Sequence, residues 1–180
     1  MLDVGGRTIV SRILESLRPL VDEAVLLTND ADLAQVGDVR LVLDPGPHAG
    51  VLPALATGLE AATGDVCLAV ACDMPFVSGS LFRYLLALRT SAGADVVIPR
   101  TSDLLEPMHA VYRRLTVLPA IRAALARGEQ RMISYFRDVR VREVGEDDWR
   151  AHDPRGLTFF NVNTPDDLVE ARRLGESHES

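Results

Sequence analysis

The 180-residue chain contains no lysine: all 19 of its basic residues are arginine. Any mechanism that needs a side-chain amine is thereby excluded. Cysteine is scarce as well, with only Cys67 and Cys72, five apart in one apolar stretch. Odd spacing along a strand puts two side chains on opposite faces, so the pair is expected as buried free thiols, a disulfide or metal pair being the lesser alternative. No apolar run approaches the roughly 18 to 20 residues that cross a bilayer, which excludes a membrane span. The opening MLDVGGRTIVSR lacks the basic start and apolar core of a secretory signal, and a cytoplasmic protein is expected. Net charge is −7, so nucleic acid is a disfavoured partner.

With 47% apolar and 25% charged residues, the composition is that of a globular chain, and the length suits one domain. Residues 1–175 are expected to form it, with 176–180 as a frayed tail. Short β-rich runs alternate with helical patterns, the signature of a mostly parallel sheet with helices on both faces, a three-layer α/β fold. The runs expected as strands are Ala24–Thr28, Val39–Leu43, Val66–Ala71, Asp95–Pro99 and Val139–Val144. Helical spacing appears over Thr8–Leu17, around Leu52, Leu55, Ala56 and Leu59, and over Ser80–Ser91, Val117–Arg127 and Asp166–Leu174. The seven residues before the first helix read as too short and glycine-rich for a strand.

Three segments could carry chemistry. The run Val66–Ala71 ends in Cys72-Asp73-Met74-Pro75-Phe76, which puts a carboxylate just beyond the carboxyl end of a central strand, where open α/β sheets bind ligands. A lone Asp there suits Mg²⁺ held between protein and substrate phosphates, and it equally suits a cap on the following turn and helix. The second, Asp44–Gly50, has two glycines and two prolines before a helix, either a stiff loop that approaches an anionic ligand or a plain strand-to-helix connection. His48 within it has no second histidine at ligand spacing and reads as a loop residue. In the third, Phe159–Leu168, Asn161 and Asn163 stand two apart in an extended segment, so both amides could grip one polar group. Alternatively Asn163 or Thr164 caps the next helix, which leaves Asn161 unused. A fourth segment, Glu106–Tyr112, sets a carboxylate and an imidazole near one possible strand but is weak alone.

Together and in this order, CDMPF, the Pro45–Gly50 loop, EPMHAVY at Glu106–Tyr112 and FFNVNTPDDL at Phe159–Leu168 resemble the molybdenum cofactor guanylyltransferases, from about Leu2 to Ala171. The resemblance implies a Rossmann-like fold of the sugar-nucleotide-transferase type. It implies transfer of GMP from GTP to molybdopterin, with pyrophosphate released and Mg²⁺ as cofactor. It makes Asp73 the catalytic metal ligand, and Asn29, Asp44 and Asp73 the nucleotide contacts. Gly46, Gly50, Arg131, Asn161 and Asn163 fall on the pterin side. Molybdenum-insertion proteins and acceptor molybdoenzymes are the further partners it implies. Within the same superfamily the alternatives are a cytidylyl- or sugar-nucleotidyltransferase; outside catalysis, a homologue that binds pterin or a partner protein.

The sequence departs from that family at its start. Family members open with a strand and a Leu-Ala-Gly-Gly-x-Ser-x-Arg-Met-Gly-x-Asp-Lys loop that cradles the triphosphate, whereas MLDVGGR resembles the stretch after that lysine. The resemblance therefore implies about 20 residues more, roughly one strand and one loop, set between Ala24–Thr28 and Val66–Ala71.

Overall fold

Successive residues of the central strands pack into different core clusters, Val96 and Ile98 into one and Val97 into another, and this alternation divides the molecule into layers. The structure is a computed structural model that describes residues 2–29, 37–44, 46, 50–102 and 104–176. In chain order the strands are β1 Asp3–Val4, β2 Arg7–Thr8, β3 Val25–Leu27, β4 Arg40–Val42, β5 Val66–Val70, β6 Val96–Thr101, β7 Leu104–Leu105, β8 His109–Arg113 and β9 Val141–Val144. The helices are α1 Ile9–Leu17, α2 Val51–Ala61, α3 Gly79–Ala92, α4 Arg114–Ala126, α5 Glu146–Arg150 and α6 Pro165–Glu176. All five expected strands and all five expected helices are present, shifted by a few residues at their ends.

The main sheet runs β5-β8-β6, with β9 on the other edge of β6 and β7 hairpinned onto its end. Since β8 is antiparallel to both β5 and β6 while β9 is parallel to β6, the strands β5, β6 and β9 share one direction and β8 alone is reversed among them. Val96 and Ile98 of β6, with Ala110 and Tyr112 of β8, pack under α2 and α4. Their alternates Val97 and Val111 face Leu81, Phe82 and Leu85 of α3 and Trp149 of α5. Helices thus cover both faces, as expected of a Rossmann-like domain. A third cluster, Val4, Ile9, Phe76, Val162 and Ala171, joins the two ends of the chain to the turn after β5.

A separate parallel pair, β3 with β4, completes the sheet elements. Among the described residues, no strand pairs with the second edge of β3 or of β5. On β5, Ala71 N–H donates to Met108 and Arg114 N–H donates to Asp65, which fixes the phase of the ladder. In that phase the odd-numbered residues turn their amides toward β8, so Val66, Leu68 and Val70 turn theirs to the open edge.

Two expectations need correction. The opening residues do form strands: β1 and β2 are a hairpin around Gly5 and Gly6, both at positive φ (63° and 75°), where the twist of a two-residue turn matches the strands it joins. Tertiary contacts hold this short hairpin, since the guanidinium of Arg12 donates to Val4 O and that of Arg172 to Asp3 O. The cysteines are free but not both buried: Cys67 is half-buried and Cys72 is exposed, because Cys72 lies beyond the last residue of β5. Helix α6 reaches Glu176; residues 177–180 of the expected tail lie outside the described ones. No helix among the described residues is long and apolar enough to cross a membrane.

Candidate functional site

The carboxyl end of β5 delivers Asp73 into a turn that Pro75 stiffens, and Met74, Phe76 and Val77 anchor that turn in the core. One reading of Asp73 made it a helix cap. That part is taken by Ser78, whose Oγ accepts from Leu81 N–H at 3.2 Å and starts α3. Asp73 Oδ1 is buried and has no hydrogen-bond partner, and so is Asn161 Oδ1. The two residues lie on adjoining segments, because Val162 N–H donates to Asp73 O at 2.9 Å. Buried polar atoms are nearly always paired in folded proteins, so two orphan oxygens on adjoining segments mark a place prepared for an electrophilic ligand. The donor set, one carboxylate and one amide oxygen, fits Mg²⁺, which accepts one or two protein oxygens when phosphates fill the rest. It does not fit a stand-alone metal centre, and the described residues hold no cluster of three or more His, Cys, Asp and Glu.

The segment bearing Asn161 is tied down on both sides. Before it, the Thr158 amide donates to Asp153 Oδ2 at 2.8 Å. After it, a reciprocal cap starts α6: Asp167 N–H donates to Thr164 Oγ1, while Asp167 Oδ2 accepts from the amides of Thr164 and Asn163. Those hydrogen bonds, first of all from the Thr164 hydroxyl and amide, hold the Asp167 carboxyl below its usual range. Asn163 is therefore an exposed residue with its backbone in a helix cap, whereas Asn161 carries a buried oxygen with no hydrogen-bond partner.

At the carboxyl ends of β3 and β4, Asn29 and Asp44 are brought together: Asn29 Nδ2 donates to Asp44 O at 3.2 Å. Asp44 Oδ1 in turn accepts from Gly46 N–H at 2.8 Å. Gly46 and Gly50 have φ of 101° and 85°, values that favour glycine, and among the described residues no atom lies within 4 Å of where a Cβ would stand. That is backbone open to a ligand, with Gly50 at the N-terminus of α2. Pro45, Pro47, His48 and Ala49 lie outside the described residues, so the reading of His48 is not placed.

Arg131 lies elsewhere, in an open depression of about 440 Å³ lined by Gly128–Arg131, Ile133, Ser134 and Arg137. Arg127 and Arg137 are engaged there by Glu129. The described contacts do not join Arg131 to the Asp73 turn, so the sequence-derived residues fall into three groups: Asp73 with Asn161, Asn29 with Asp44 and Gly46, and Arg131 alone. One residue the sequence did not single out, Thr158, connects the first group to the helix start at Ser78: Ser78 N–H donates to Thr158 Oγ1 at 3.0 Å. Nothing local in the sequence marks Thr158, whose importance comes from a contact 80 residues away.

Comparison with known proteins fits this geometry. The family model described as the MobA-like NTP transferase domain matches residues 1–143. A probable molybdenum cofactor guanylyltransferase of Pelotomaculum thermopropionicum is 34% identical over 177 residues, spanning 98% of this chain and 85% of that protein. The molybdenum cofactor guanylyltransferase of Desulfosudis oleivorans is 30% identical over 95% of this chain and 83% of its own. Among solved structures, molybdopterin-guanine dinucleotide biosynthesis protein A of Archaeoglobus fulgidus superposes with a TM-score of 0.79 at 24% identity, covering 97% of this chain and 88% of that one. A Thermus thermophilus 2-C-methyl-D-erythritol 4-phosphate cytidylyltransferase gives 0.73 at 19% identity, over 97% and 92% of the two chains. These two structural likenesses establish the shared fold. The match of sequence over most of the chain establishes more: it belongs to the MobA-like NTP transferases.

Proposed function

We propose that the chain transfers GMP from GTP to molybdopterin, giving the guanine dinucleotide form of the cofactor and pyrophosphate. The observation that carries this reading is the pair of buried, unpartnered oxygens of Asp73 and Asn161 at the carboxyl end of β5, in a chain whose 34% identical relative bears the guanylyltransferase name. In the reaction a phosphate oxygen of molybdopterin attacks the α-phosphorus of GTP, the bond to the β-phosphate oxygen breaks, and pyrophosphate leaves with the electron pair. Such a transfer asks the protein for alignment and charge neutralisation more than for covalent chemistry. Asp73 and Asn161 would hold Mg²⁺, which supplies positive charge to the phosphates when bound. Asp73 orients the nucleotide phosphates beside the sheet. Asn29 and Asp44, already joined at the ends of β3 and β4, take the guanine nucleotide. The open backbone at Gly46 and Gly50 lets a substrate approach α2 closely. Arg131 and Asn163, both exposed, serve the phosphate of the pterin. We place the activity in the cytoplasm, with molybdenum-insertion proteins and acceptor molybdoenzymes as the next partners.

The test is to measure thermal shifts with GTP, CTP and UTP in MgCl₂, then pyrophosphate release from GTP with molybdopterin. A shift confined to GTP with pterin-dependent release is expected. Selective stabilisation by CTP or UTP would assign another nucleotidyl transfer, and pterin binding without turnover would reduce the chain to a binding module.

A further inference from the structure

Among the described residues the buried polar side chains are Asp95, His109 and Thr158, and two of these touch each other: His109 Nε2 and Thr158 Oγ1 are 2.9 Å apart. Asp95 has an evident structural part, since its oxygens accept from the Thr116 hydroxyl and from the Arg140 amide and guanidinium. His109 has no such set of partners. Its ring lies among apolar rings, 4.6 Å from Phe82 and 4.9 Å from Phe159 between centroids, and its Nδ1 is buried and unpartnered. An aliphatic or phenyl side chain would fill that space without an orphan nitrogen, so packing does not account for the imidazole.

Its placement does. His109 opposes Val70, the last residue of β5, so it stands beside the point where the chain leaves the sheet for Asp73. Thr158, which it grips, is three residues before Asn161 and also accepts the Ser78 amide, five residues after Asp73. The Asp73 loop and the Asn161 segment are thereby laced by two rungs, Ser78 N–H to Thr158 Oγ1 and Val162 N–H to Asp73 O. Asp73 carries one end of the second rung, Asn161 lies between Thr158 and Val162 along the chain, and both bear an unpartnered buried oxygen. His109 fastens the first rung to β8.

We propose that His109 and Thr158 are positioning residues for the phosphate and metal side of the reaction: the imidazole-to-hydroxyl contact sets the distance and angle between Asp73 and Asn161. This rests on the reading of Asp73 and Asn161 given above. The imidazole stays neutral in its apolar pocket, which burial alone accounts for, and either tautomer keeps the contact to the hydroxyl. A positioning contact of this kind acts because misplacement by an ångström is costly to a transfer reaction while leaving the fold intact.

The experiment compares Thr158→Val, which keeps the shape and removes the hydroxyl, with Thr158→Ser, which keeps the hydroxyl, and with His109→Gln. Two quantities are read: hydrogen exchange at the amides of Val162 and Ser78, and the MgCl₂ concentration that gives half-maximal GTP binding, with Asp73→Asn as the reference. For Thr158→Val the expected result is at least tenfold faster exchange at both amides and at least a fivefold higher MgCl₂ requirement, with exchange in β6 and β8 unchanged and Thr158→Ser close to the parent. Unchanged exchange at Val162 and Ser78 overturns the proposal whatever the magnesium result. Faster exchange with the parent's magnesium requirement also overturns it, provided Asp73→Asn has lost magnesium dependence. If Asp73→Asn keeps that dependence, the reading of the site itself has failed and the functional half of the proposal falls with it.

Discussion

Acidification from pH 6.5 to 4 should destabilise the protein through a single buried group. His109 is fully buried, and burial lowers its pKa from the ordinary 6.5 to about 3. In the unfolded chain the imidazole is solvated and titrates near 6.5, so between these values the unfolded state binds a proton that the folded state refuses. The sign follows: the contribution of neutral His109 is complete above about pH 6.5 and is lost as the pH falls toward 3. At about 1.4 kcal/mol per unit, the loss is roughly 2 kcal/mol at pH 5 and roughly 3 kcal/mol at pH 4. That is a large part of a domain's usual stability of about 5 to 15 kcal/mol, and it corresponds to a melting temperature lower by about 6 to 12 °C at pH 4.

Above about pH 5 the window belongs to His109 among the described residues. The shifted carboxyls all lie below their usual range and act only at lower pH. For Asp95, burial alone would raise the carboxyl, but the Arg140 amide and guanidinium and the Thr116 hydroxyl pull it down. For Glu23, hydrogen bonds from Thr63 do the same. These groups stabilise the fold above about pH 4 and are lost as the pH falls through their lowered values. The assay is urea unfolding at half-unit steps from pH 7.5 to 4, with the His109 ring followed by NMR in the folded state. A neutral ring at pH 5 together with a falling free energy of unfolding is expected, and His109→Gln should flatten the slope. A stability that stays level from pH 6.5 to 4, or a ring that titrates near 6.5 in the folded protein, would refute the reasoning.

Asp73→Asn should weaken Mg²⁺-dependent GTP binding by about 30- to 1,000-fold, since one charge pair near a protein surface contributes about 2 to 4 kcal/mol. Stability should hold or rise by up to about 1 kcal/mol, because the orphan oxygen Oδ1 then belongs to a neutral amide; a variant that binds equally well, measured by calorimetry, removes Asp73 from the metal site. On β5, hydrogen exchange should alternate, with the amides of Cys67, Ala69 and Ala71 protected at least tenfold over those of Val66, Leu68 and Val70, which face the open edge. Equal protection along the strand would mean that this edge is covered in solution. Burial raises both thiols, that of Cys67 to about 11, so labelling at pH 7 is ordered by exposure and should reach exposed Cys72 before half-buried Cys67. GTP with MgCl₂ should slow it, since Cys72 adjoins Asp73; the reverse order, read by mass spectrometry, would contradict the arrangement at the end of β5.

Periodicity and punctuation alone determined five of the nine strands and five of the six helices among the described residues. Val96 and Ile98 against Val97 fix the two faces of β6, and Thr8, Ser78 and the Thr164–Pro165 step mark the helix starts that the side-chain caps confirm. Such signals are local, because a cap or an alternation needs only a few consecutive residues. The order of short segments also pointed to the family, and through it made Asp73 a candidate metal ligand and Asn161 a candidate on the pterin side. What required tertiary structure was everything set by pairing across long sequence separations. The reversed strand β8 is read only from its register with β5 and β6, and the β1–β2 hairpin only from the guanidiniums of Arg12 and Arg172 that pin it. The two exposures of Cys67 and Cys72 depend on where β5 ends, which a one-residue shift in an apolar run does not reveal. Thr158 gave no sequence signal, because its hydroxyl acquires meaning only beside His109 and the Ser78 amide, 49 and 80 residues away along the chain.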